Sequence, residues 1–225
     1  MFQLTKYISV IMFSFAIFLF TLSAHGYDRT GKTEKDIEKF RAHTVVQKLS
    51  KENLKKINLI EIISKNFGYN SYHKLKKDYW TARILVSKKK IVEAKDLLEL
   101  NLAEINETMR IISKDYEDAA QAMIDDCIDK INELKFKAEM NPSVELNRQL
   151  TENLKRIKLA NEQFDSAYYS YINLNYVPCI TLYRSAKTHA INILQDLADP
   201  QDKQKITDKF KIHIVDNRNE IFKEG

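Results

Sequence analysis

Between Lys32 and Lys223 this chain carries only four residues that readily end regular structure: Gly68, Pro142, Pro178 and Pro200. Sheets consume turn residues at every hairpin, so a stretch of about 190 residues with four such marks is suited to long helices and little else. Leu, Lys, Glu and Ala at helical spacing agree. The expected fold class is all-α: antiparallel helix pairs, a long central helical hairpin, and no convincing strand. Ile212 to Val215 is the only short β-like run, and it lies inside a helical pattern.

The pattern predicts seven helices. The first spans Thr33 to Leu49. Ser50 caps a second, which carries Leu54, Ile57, Ile60 and Ile63 and stops at Gly68. Ser71 opens a third, and Ser87-Lys88-Lys89-Lys90 forms a charged turn. A fourth begins near Ile91 and bears the clearest stripe of the chain: Leu98, Leu102, Ile105, Met109, Ile112, Tyr116, Ala119 and Met123, continued by Cys127, Ile131, Leu134 and Ala138. That is a heptad-like seam with a stutter near Cys127. Asn141-Pro142-Ser143 ends it. A fifth helix carries Leu146, Leu150, Leu154, Ile157, Ala160, Phe164, Ala167, Tyr171 and Leu174. These two long helices should pack antiparallel, each burying its stripe on the other. A sixth helix is expected from Pro178 to about Leu197, and a last one from Gln201 toward Phe222.

Ala167, Tyr176, Cys179, Tyr183 and Ala186 fall where a tetratricopeptide repeat places small and aromatic residues at close helix crossings. The stretch of about residues 160–195 resembles one such repeat. Ala82, Ile91, Ala94 and Leu98, within about residues 75–100, echo it 85 positions earlier. Leu174 departs from the family, which prefers Gly in that turn. The intervening helices are too long for a 34-residue period. The resemblance implies an exported, tetratricopeptide-like helical protein that binds other proteins.

The N-terminal residues speak to location. Lys6 precedes an apolar run from Ile8 to Leu22, and Ala24 and Gly26 supply small residues ahead of Tyr27. This layout predicts a secretory signal peptide over 1–26, cleaved after Gly26; an uncleaved N-terminal anchor in the inner membrane is the alternative. The Lys-, Asn- and Ile-rich usage suggests an AT-rich genome, hence a bacterial periplasm or cell envelope. Charge divides the remainder. Residues 27–95 hold 18 Lys and Arg against 8 Asp and Glu, a net of +10, whereas residues 96–225 hold 17 against 23, a net of −6. The expected organisation is a basic helical region over 27–95, followed over 96–225 by the long hairpin with its tetratricopeptide-like helices. Export makes a nucleic acid an unsuitable partner for the basic half. An acidic envelope protein or an anionic membrane surface suits it better, and self-association into a homo-oligomer is a further option.

No recognisable chemistry stands out. The chain has no Gly-rich phosphate loop, no His pair at i and i+4, and no Cys-x-x-Cys. No catalytic residue, cofactor or metal is therefore expected. Asp125, Asp126, Asp129 and Glu133 read as a solvated helix face. The candidate partner-binding residues are Tyr72, Trp80, Lys74, Lys76 and Lys77 in the third helix, Lys88, Lys89 and Lys90 in the charged turn, and Tyr168 and Tyr169 in the fifth helix. Core packing competes with binding for the aromatics, Tyr79, Tyr171 and Tyr183 above all. Cys127 and Cys179 should both be reduced, because the hairpin layout sets their levels about 21 Å apart. The expected function is a non-catalytic scaffold of the bacterial envelope; in type it resembles the collar components around periplasmic flagellar motors. The alternative is a self-associating helical bundle with no dedicated groove.

Overall fold

The computed structural model describes residues 34–218, with side chains from Phe40 onward. The signal-peptide region, Thr33 and the end of the expected last helix lie outside the described residues. Within them the fold is all-α: seven helices and no strand. They are α1 (Glu34–Phe67), α2 (Tyr72–Ser87), α3 (Ile91–Met140), α4 (Val144–Ile172), α5 (Tyr176–Leu197), α6 (Lys203–Lys209) and α7 (Lys211–Arg218).

The count agrees with expectation through two compensating differences. The first two expected helices are one. Ala42, Val46, Ser50, Asn53, Ile57 and Ile60 are all buried at steps of three and four, so a single face runs straight through Ser50. A cap would hold a free backbone N–H, but the Ser50 hydroxyl is buried without a hydrogen-bond partner. At the other end the expected last helix is two. Phe210, 6 % exposed, stands at the break and is buried in the same apolar cluster as Met123, Ile124 and Ile191. The sixth helix also starts earlier, at Tyr176, which leaves Pro178 inside its first turn where no helical N–H is needed.

The stripe on α3 follows a different period from the one expected. Its buried seam runs through Ala94, Leu98, Asn101, Ile105, Met109, Ile112, Tyr116, Ala120, Met123, Cys127, Ile131, Leu134 and Ala138, with Ser113 and Ile124 buried alongside it. After the first step the seam positions advance by three, four and four throughout. An eleven-residue repeat corresponds to 3.67 residues per turn, close to the natural 3.6, so the seam stays on one side of a 50-residue helix without a stutter. Asn101 and Ala120 replace the expected Leu102 and Ala119. Asn101 is accommodated by pairing: the Asn53 amide donates to Leu98 O and to Asn101 Oδ1, and the Asn101 amide donates to Leu75 O. Three helices are thereby fixed in register around one buried amide pair.

The α3–α4 hairpin is not the self-contained unit expected. On α4 only Asn153, Ala160 and Ala167 are buried, seven residues apart, and Leu154 and Leu174 face solvent. The better-buried partner is α5, which packs on both α3 and α4. Cys127 Sγ lies 3.2 Å from Ala190 O, and Cys179 interacts with Ser113, so α5 runs parallel to α3. Both cysteines are free and buried. Two apolar cores result. One joins α1, α2, the first half of α3, Ala167 of α4 and the start of α5; the other joins the second half of α3 to Ala160 of α4, α5 and Phe210.

The turns closing the α2–α3 and α4–α5 hairpins have the same geometry at an offset of 85 residues. Lys89 and Leu174 have φ of 61° and 59°. The helix-ending bonds Lys88 N–H to Ile84 O, Lys89 N–H to Val86 O and Lys90 N–H to Leu85 O recur as Asn173 to Tyr169, Leu174 to Tyr171 and Asn175 to Ser170.

Candidate functional site

The basic end of the chain contains a groove of about 690 Å³. Phe40, His43, Thr44 and Gln47 of α1 form one wall, and Val86, Lys89 and Ile91 form the other. It opens where α1 runs past the α2–α3 turn. Phe40 is 66 % exposed, and Lys88 and Lys89 make no ion pair among the described residues. The left-handed backbone at Lys89 sets that side chain at the groove wall. The site can thus offer apolar contact together with positive charge.

The other expected binding residues divide sharply. Lys74 is paired with Glu104 at 2.5 Å, Lys76 with Glu61 at 2.9 Å and Lys90 with Glu93 at 2.9 Å. The bond from Lys76 holds the Glu61 carboxyl below its ordinary range. These three lysines spend their charge within the molecule, whereas Lys77 makes no ion pair among the described residues. Tyr72 is half-buried against the first core, its ring stacked 3.9 Å from His73. Trp80 is 52 % exposed, edge-on to the buried Tyr79. Tyr168 and Tyr169 both point away from the core and meet edge to face. They do not join the basic groove: α4 packs on α3 and α5, and α2 on α1 and α3.

A second constellation, absent from the sequence reading, sits where the two cores meet. The Asp216 carboxylate of α7 is fully buried. Arg184 donates to it twice, Nη2 to Oδ1 at 2.5 Å and Nε to Oδ2 at 2.9 Å. Tyr116 Oη donates to Oδ2 at 2.5 Å, and Asn66 Nδ2 to Oδ1 at 3.2 Å. Lys187, also fully buried, holds its Nζ 3.9 Å from Oδ2, 3.3 Å from His213 Nδ1 and 3.9 Å above the Tyr116 ring. Desolvation lowers the Lys187 amine to about 7, with Arg184 adding to the fall and Asp216 opposing it. Burial, then the charge of Lys187, lowers His213 to about 4. A detectable signal existed: Arg184 and Lys187 stand on the same face of α5 as Ile180, Tyr183, Ile191 and Leu194, and a cation on an apolar face needs a buried partner.

Among the described residues no group of three or more His, Cys, Asp or Glu could hold a metal ion, and no helix is long and apolar enough to cross a membrane. No protein family, curated protein or solved structure matches the chain.

Proposed function

We propose that this protein is a non-catalytic binding scaffold of a bacterial periplasm or cell envelope, and that the groove between α1 and the α2–α3 turn receives an acidic, partly apolar segment of another envelope protein. One observation carries the reading: apolar walls from Phe40, Val86 and Ile91 lie beside Lys89, whose charge, like that of its chain neighbour Lys88, no described carboxylate neutralises. The net +10 of residues 27–95 extends the same field beyond the groove. The matching α2–α3 and α4–α5 turns, and the burial of Ala167, Tyr176, Cys179, Tyr183 and Ala186, support a tetratricopeptide-like relationship between the two hairpins. Such pairs commonly present concave protein-binding surfaces.

A photoreactive residue at His43, compared with one at Asp129, tests this in cells that export the chain. The expected result is a discrete adduct from position 43 alone, lost when Lys88 and Lys89 are changed to Glu. Equal adducts from both positions would remove the groove from the function. A lipid adduct from position 43 would transfer the site to a membrane surface.

A further inference from the structure

α7 docks in an unusual way. Its apolar residues Ile212 and Val215 are 53 % and 47 % exposed, Ile214 is half-buried against the second core, and Asp216 is its only fully buried residue. Beside the Ile214 side chain, the His213 ring against Phe67 and the Asn217 amide donating to Thr188, its buried polar anchor is this one carboxylate, which receives hydrogen bonds from Asn66 on α1, Tyr116 on α3 and Arg184 on α5. The helical body supplies the cations and the tail supplies the anion. Two cations face one carboxylate, so with Lys187 charged the closed site carries an excess positive charge in a place water does not reach.

We propose that Arg184, Lys187, Tyr116 and Asn66 form a carboxylate-binding socket on the body, that α7 is its tethered ligand, and that acid loosens it. When α7 leaves, Lys187 and His213 meet water and take up protons at their ordinary pH values. When α7 closes, burial expels those protons. Closure thus gains stability as pH rises from about 7 to 10.5 through Lys187, and from about 4 to 6.5 through His213. Falling pH reverses both gains. The neighbouring groups do not cancel this. Tyr116 and Tyr69 are pushed far upward by burial, and Tyr69 donates to Asp115; both phenols stay protonated. α1 contributes only uncharged groups, the Asn66 amide and the Phe67 ring, and Lys209 of α6 is paired with Asp126.

Hydrogen exchange on the full chain, corrected for intrinsic chemistry, tests the latch. From pH 9.5 to 5.0, protection of residues 211–218 should fall by at least about tenfold relative to residues 105–124, the equivalent of one pKa unit of linkage. A fall shared equally by both segments, or none, overturns the proposal. Lys187→Met should flatten the response between pH 7 and 9.5; an unchanged response there also overturns it. Should that variant fail to fold, the His213 ring resonance of the wild-type chain decides. Titration well below 6.5 supports a closed socket, and titration at 6.5 refutes it.

Discussion

Leu174 stands where the backbone turns left-handed, at φ 59°, with its side chain 71 % exposed. Left-handed geometry costs an L-residue roughly 1–2 kcal/mol, and glycine escapes most of that cost. An exposed leucine returns little packing in exchange. Leu174→Gly should therefore stabilise the fold by about 0.5–1 kcal/mol, measured as a higher urea midpoint at unchanged slope. A lower midpoint would mean that the leucine packs on something its exposure does not reveal. The tetratricopeptide pattern, which prefers Gly here, had marked this residue as out of place. Lys89, its counterpart 85 positions earlier, gave no such sign because the echo there rested on Ala82, Ile91, Ala94 and Leu98. Asp216 was harder still. Its partners are 29 to 150 residues distant in the chain, and only the fold brings them to it. The cysteines were legible because level along a helix follows from counting: Cys179 faces Ser113, as the hairpin layout required.

At the scale of the helix, chain breaks were readable and continuations were not. Gly68, with φ 78°, closes α1, and Ser143 caps α4 by accepting from Leu146 N–H at 3.1 Å. Both are local chemistry. Ser50 looked like the same chemistry, but it lies in the middle of a 34-residue helix because Val46 and Asn53 on either side are buried on one continuous face. Its hydroxyl loses water and gains no partner. Removing a working cap costs about 1 kcal/mol. Removing this hydroxyl should cost nothing and favour the fold by up to about 1 kcal/mol, since alanine is the better helix former and carries no polar group to desolvate. Thermal or urea unfolding of Ser50→Ala separates the two cases by sign. The eleven-residue period of α3 was obscured for a related reason. Asn101 is polar, so apolarity drew the seam through Leu102 beside it, and apolarity does not distinguish Ala120 from its neighbour Ala119.

For the whole molecule the open alternative is self-association. It requires a second apolar seam on the outside, and the exposed residues of α3, the longest described helix, do not form one. The large exposed apolar residues of α3 are Val92, Leu100, Ile111, Ile128, Phe136 and Met140, and only the last two stand at helical contact spacing. A coiled-coil partner needs apolar positions repeating every three or four residues over several turns. Phe136, Met140 and Val144 do gather at the α3–α4 end, but they span barely one turn on each side of the bend. Standard specific interfaces remove about 800 Å² from each partner, far more than three side chains provide. The chain lacking residues 1–26 should therefore sediment as a single 23–24 kDa species, about 26 residues below the 26.4 kDa of the full sequence. The same mass should persist from tens of nanomolar to tens of micromolar protein. A dimer at the lower concentration would favour the self-associating bundle over a scaffold that keeps its groove open for a different protein.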